Sequence, residues 1–86
     1  MKVILDARLM NERIETHMYL KRHLQLPEYY GNNLDALYDC LSEFNRTIIK
    51  IKNCNLAGDY FDKIYCVMLE AEKTNDELTI ILLDNE

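Results

Sequence analysis

Three short apolar runs lie far apart in this chain: Val3-Ile4-Leu5, Thr47 to Lys52 (TIIKIK) and Leu78 to Leu83 (LTIILL). Each has the length and the β-branched content of a strand. The stretches between them are helically periodic and far longer than a hairpin turn. Strands joined through helices pair parallel, with right-handed crossovers, so the chain predicts a small α/β layer fold. Lys2 to Asp6 reads as a buried strand. LTIILL is almost wholly apolar and reads as the inner strand of the sheet. The lysines of TIIKIK should point to solvent or to a sheet end.

Between the first two strands the helical pattern is broken once. Arg8 to Asn11 is a short connection, and Glu12 to Leu24 reads as a helix with the stripe Ile14, His17/Met18, Leu20/Lys21, Leu24. Pro27, the only proline, has a fixed φ and no N–H, so that helix should stop near Leu24 to Leu26. Gly31 suits a tight bend at positive φ. Asn32 or Asn33 can cap a second helix to about Phe44, with Leu34, Leu37, Leu41 and Phe44 on its apolar face. Asn53 to Gly58 is turn-rich. Asp59 should cap a third helix to about Lys73, burying Phe61, Ile64, Tyr65, Met68 and Leu69, with Cys66 and Val67 widening the face. Thr74 to Glu77 reads as a loop, and residues 84–86 as an exposed tail.

Eighty-six residues, 49% hydrophobic, suit one domain spanning residues 1–86. The net charge of −5 and pI near 4.9 leave no basic stripe for phosphates, which argues against direct nucleic-acid binding and for a basic protein partner. The start, MKVILDARLM, has too short an apolar run for a signal peptide, and no stretch is long enough to span a membrane, so a cytoplasmic chain with no membrane partner is expected. Cys40, Cys54 and Cys66 are odd in number and lack metal spacing; they read as free, partly buried thiols filling small core positions. His17 and His23 have no Cys/Asp/Glu cluster at ligand spacing. Neither a metal nor a cofactor is expected.

From Leu24 to Asn45 the chain has no Lys or Arg, while Glu28, Asp35, Asp39 and Glu43 are acidic. Steps of about 100° per residue place Asp35, Asp39, Ser42 and Glu43 on one side of the second helix, opposite Leu37, Leu41 and Phe44. Tyr38 borders this acidic face, and Tyr29 and Tyr30 precede it. Asp35 and Asp39 repel one another at i,i+4 by a few tenths of a kcal/mol. A plain solvated face normally mixes charge signs. This one fits a surface presented to something positive, with tyrosines as packing groups. Two carboxylates on an exposed helix, without a nucleophile, Gly-rich phosphate loop or metal cluster, do not make an enzyme site.

The run LPEYYGNNLDALYDCL, from Leu26 to Leu41, resembles the signature of the barstar family, intracellular inhibitors of barnase-type ribonucleases. The likeness is strongest from Leu20 to Leu41 and returns in ELTIILL near the C-terminus. It implies a three-stranded parallel sheet packed with helices. It also implies a function: the loop and second helix plug the basic, phosphate-binding groove of the enzyme. By matching position, Asp39 would be the central anchor, bonding the Arg and His groups that hold phosphate. Asp35 would pair at the groove's edge, Tyr29 would stack near the catalytic histidine, Asn33 would contact a loop by the base site, and Glu70 would meet a peripheral cation. Tyr38, Ser42, Glu43 and Phe44 would also meet the partner but replace the family's tryptophan, threonine, glycine and tryptophan, and Thr74 replaces a second acid. The region after the second strand is shorter than in the family, so a short extra helix there is expected to shrink to a turn around Asn55 to Gly58. The partner expected is a barnase-like ribonuclease, bound by a chain that is monomeric when free. The alternative is an immunity or regulatory protein for another basic nuclease toxin.

Overall fold

The structure is a computed structural model, and it describes residues 1–83; the tail expected at 84–86 lies outside the described residues. The elements run β1 (Lys2–Asp6), α1 (Arg13–His23), α2 (Leu34–Ser42), β2 (Thr47–Lys52), α3 (Asp59–Thr74) and β3 (Leu78–Leu82), with single 3-10 turns at Ala7–Leu9 and Cys54–Leu56. The strands form one parallel sheet in the order β1-β2-β3. In register, Val3 lies beside Ile49 and Ile49 beside Ile80, while Ile4 lies beside Lys50 and Lys50 beside Ile81.

Burial alternates along the sheet. Leu5, Ile49, Ile51 and Leu78 are buried on one face with Leu20, Leu37, Leu41, Ile64 and Met68 from the helices. Ile4 and Ile81 stand exposed on the other face. The helices therefore cover only one side. This overturns two expectations. β3 is an edge strand, not the inner one, because β2 pairs with both neighbours. β1 is buried only at Leu5, since an uncovered face leaves every second residue to solvent. Both free edges are blunted: Tyr19 Oη accepts from the Asp6 N–H at 2.8 Å, and Glu72 Oε2 accepts from the Ile80 N–H at 2.8 Å.

α1 follows the expected stripe at His17, Leu20 and Leu24 but not at Ile14 and Met18. It buries Thr16, His17 and Leu20, with Leu24 just past its end, and leaves Ile14 67% and Met18 58% exposed. The polar members of the buried face hide the pattern because their partners are internal: Thr16 Oγ1 donates to the Glu12 carbonyl, and His17 bonds two tyrosines. The helix ends where Pro27 requires. Gln25 takes a left-handed φ of 54°, and the Leu26 N–H reaches back to the Lys21 carbonyl at 3.0 Å, the closing bond of a Schellman turn.

The remaining differences are local. Gly31 has no positive φ; Asn32 takes the left-handed conformation, φ 56°, which a short polar side chain tolerates. A side chain at Gly31 would instead press on Asn33, 3.2 Å from its Nδ2. Gly58, not Asp59, occupies the N-cap position of α3; its N–H is taken by Asn11 Oδ1 at 2.6 Å. α3 buries Phe61, Ile64, Met68 and Ala71, leaving Tyr65 and Leu69 half-buried. All three cysteines are free, but none is a core residue: Cys40 and Cys54 are half-buried and Cys66 is exposed. After β2 the chain makes a single 3-10 turn at Cys54–Leu56, where a turn around Asn55 to Gly58 was expected. No described helix is long and apolar enough to cross a membrane.

Candidate functional site

α2 starts where Asn33 stops the loop. The Asn33 Oδ1 accepts from the Ala36 N–H at 2.7 Å, and its Nδ2 donates to the Gly31 carbonyl at 3.2 Å. Asn33 is thus exposed but already engaged at both ends of its amide. α2 ends at Ser42 with Glu43 as C-cap, so Phe44 lies beyond the helix, half-buried against the core.

The far end of α2 has no basic residue in its last turn. Asn75, after α3, does the work a cation often does: its Nδ2 donates to the carbonyls of Leu41 and Phe44 at 3.0 and 2.9 Å. A neutral amide closes the helix without diluting its negative face. Sequence periodicity gave no sign of Asn75, because the bond is made across elements.

Asp35, Asp39 and Glu43 are exposed, and none joins an ion pair among the described residues. They follow one another at i,i+4, so Asp39 has a like charge one turn away on either side. Asp35 sits in the favourable first turn of the helix dipole, but Asp39 and Glu43 sit toward its negative end. Thus α2 is built against its own electrostatics. Burial, with Glu43 and Asp39 nearby, pushes the Cys40 thiol up, so it is not an activated nucleophile. Among the described residues no group of three His, Cys, Asp or Glu could hold a metal ion.

The fold brings some of the other expected residues to this face. Tyr29 is 87% exposed on the loop before α2. Tyr38 is half-buried, with its hydroxyl 3.4 Å from Thr74 Oγ1. Thr74 donates its own proton to the Ala71 carbonyl, so Tyr38 is the donor in that contact. Ser42 Oγ donates to the Tyr38 carbonyl at 2.8 Å. Glu70 is exposed one helical turn before Thr74, and pairs with Lys73 at 3.7 Å. The face is less purely acidic than the sequence segment. Arg13 and Lys63 line a cleft with Asn33, Asp35 and Tyr60 at the start of α2, and Glu28 lies 3.8 Å from Lys21.

A buried polar clasp behind the loop escaped the sequence reading. His17, fully buried, has its Nδ1 2.6 Å from Tyr30 Oη and its Nε2 2.7 Å from Tyr60 Oη. It ties α1 to the loop and to α3. Burial, with Arg13 nearby, lowers the pKa of His17, and burial chiefly raises that of Tyr30. A neutral imidazole has one N–H. Tyr30 is buried and has no other side-chain acceptor among the described residues, so it donates to Nδ1. Nε2–H then donates to Tyr60, which is half-buried.

Two comparisons bear on what this face is for. The family model for Barstar (barnase inhibitor) matches residues 1–83. The chain belongs to the barstar family. A relative from Bacillus subtilis (strain 168), named "Putative ribonuclease inhibitor YrdF", is 38% identical, with 94% of this chain and 97% of the relative aligned. Barstar proteins are inhibitors rather than enzymes by that description, and the barstar match supports a ribonuclease-inhibitor role. The three-stranded parallel sheet packed with helices is the architecture expected of a barstar chain.

Proposed function

We propose that this barstar-family chain inhibits a barnase-like ribonuclease by seating α2 and its preceding loop in the enzyme's basic active-site groove. The observation that carries this is the ladder of Asp35, Asp39 and Glu43, exposed and without ion-pair partners among the described residues. The ladder is unfavourable in the free protein and is relieved by a cationic surface. A groove that binds RNA phosphates supplies one. Asp39, in the middle, takes the phosphate position; Asp35 pairs at the rim; Tyr29 packs against the catalytic region. Tyr38, Ser42, Glu43 and Phe44 line the contact, with Asn33 and Glu70 at its margins. Asn33 contributes through its capping geometry as much as through contact, since its amide is already bonded.

The test is a titration of a barnase-like ribonuclease acting on RNA with this protein. Stoichiometric inhibition is expected. Asp39→Ala should weaken it at least a hundredfold, because stranding desolvated cations costs about 3 kcal/mol or more. Glu12→Ala, at the start of α1, should leave it unchanged. Equal small effects of the two substitutions would overturn the acidic plug. No inhibition in large excess, with Asp39-dependent capture of another basic nuclease, would move the same face to an immunity role.

A further inference from the structure

The sheet has a second surface that the inhibitory face does not use. Lys2, Ile4, Ile48, Lys50, Lys52, Thr79 and Ile81 alternate with the buried residues and so share the uncovered face. Ile4 is 58% and Ile81 37% exposed, and the register sets them on either side of Lys50. None of the three ion pairs among the described residues involves Lys2, Lys50 or Lys52. Asp6, the acid at the end of the same face, is held by Arg8 at 2.8 Å. This patch is therefore cationic and apolar on a protein of net charge −5.

Parallel sheets are nearly always covered by helices on both faces. Here one layer is absent. Three strands about 4.8 Å apart span about 10 Å from β1 to β3, the diameter of one α-helix. A helix with an apolar stripe would bury Ile4, Ile48 and Ile81, and acidic flanks would meet Lys2, Lys50 and Lys52. The lysine stems would add apolar cover while their ammonium groups reach the flanks. The lysines also disfavour two such faces stacking on one another, since like charges would meet.

We infer that the open face of the sheet is a second docking surface, taking an acidic amphipathic helix of a partner protein. It lies on the side of the sheet away from the helical layer that carries α2, so it differs in both place and charge preference from the ribonuclease-binding face. The interface is small and its complexes are correspondingly weak and reversible.

The full chain, labelled with nitrogen-15, is titrated with a designed helical peptide bearing leucines on one face and glutamates on both flanks. The expected result is a set of amide shifts centred on Lys2, Ile4, Ile48, Lys50 and Ile81. The same peptide with lysine flanks should bind at least about tenfold more weakly. Lys50→Glu and, separately, Lys2→Glu should each weaken the acidic peptide by a similar factor while leaving the amide spectrum of α2 and α3 unchanged. Equal binding of the two peptides, shifts centred elsewhere, or no shifts would overturn the inference. So would two other results. Shifts on this face that grow with protein concentration alone would assign it to a second copy. Binding to phosphatidylserine vesicles without binding to the peptide would assign it to a membrane.

Discussion

Two residues behind the proposed binding face decide its shape. His17 holds Tyr30 and Tyr60 only as a neutral ring. If it is protonated, Nδ1 becomes a donor and the buried Tyr30 hydroxyl loses its acceptor. Its folded pKa is lowered from the usual value near 6.5. The unfolded chain therefore takes up the proton first as pH falls. The stability His17 contributes is whole above about pH 6.5 and declines as pH falls toward the folded pKa. Urea titrations should show a midpoint that drops through this window, and His17→Gln should flatten that part of the profile. An unchanged slope in the variant would assign the acid sensitivity of this window to another group; Asp6, whose carboxyl Arg8 holds far below the ordinary range, loses its contribution only below about pH 4. Asn75 acts at the other end of α2. Asn75→Ala removes two bonds to helix-end carbonyls, at 3.0 and 2.9 Å, and should cost about 1–3 kcal/mol in equilibrium unfolding. A loss below about 0.5 kcal/mol would mean that water replaces the amide there.

α2 shows what a helix gives up for the role proposed for it. Asp39 sits between two like charges at i,i+4 and toward the negative end of the helix dipole. Asp39→Ala removes both penalties and adds helix propensity, so it should stabilise the free protein by about 0.5–1 kcal/mol while it weakens inhibition. A gain in stability coupled to a loss of binding separates a binding face from an ordinary solvated one, for which the second effect is absent. Much of this element was legible beforehand: the proline, the paired asparagines and the cleared basic charge fixed its start and its polarity. α1 was legible only in part: His17, Leu20 and Leu24 of the expected stripe are buried, but Thr16, bonded within its own helix, and His17, bonded to tyrosines on other elements, look like surface residues in sequence. Ile14→Glu therefore should change stability by no more than about 0.5 kcal/mol, whereas Leu20→Ala should cost about 2–5 kcal/mol. β3 misled for a related reason: an apolar run marks a central strand only when both sheet faces are covered, and here one is open.

At the scale of the molecule two patches of opposite sign lie on opposite sides of the sheet. The proposed binding face carries Asp35, Asp39 and Glu43, and the open sheet face carries Lys2, Lys50 and Lys52. Such a separation gives the protein a dipole as well as a net charge of −5. An approaching cationic groove is then both attracted and turned toward α2 before contact. The clasp of His17, Tyr30 and Tyr60 and the two-ended bonding of Asn33 hold the loop in place, so little ordering remains to slow docking. Association should accordingly be fast at low salt and fall by about tenfold or more as ionic strength rises from about 0.05 to 0.5 M, where screening shortens the reach of the field to a few ångströms. Dissociation depends on desolvated contacts made after docking and should change far less. Stopped-flow mixing with the ribonuclease at several salt concentrations reads both rates. Asp39→Ala should act mainly on dissociation, because one charge contributes little to the long-range field but much to the closed contact. A salt-independent association rate would remove steering from the account and leave inhibition to shape and short-range pairing alone.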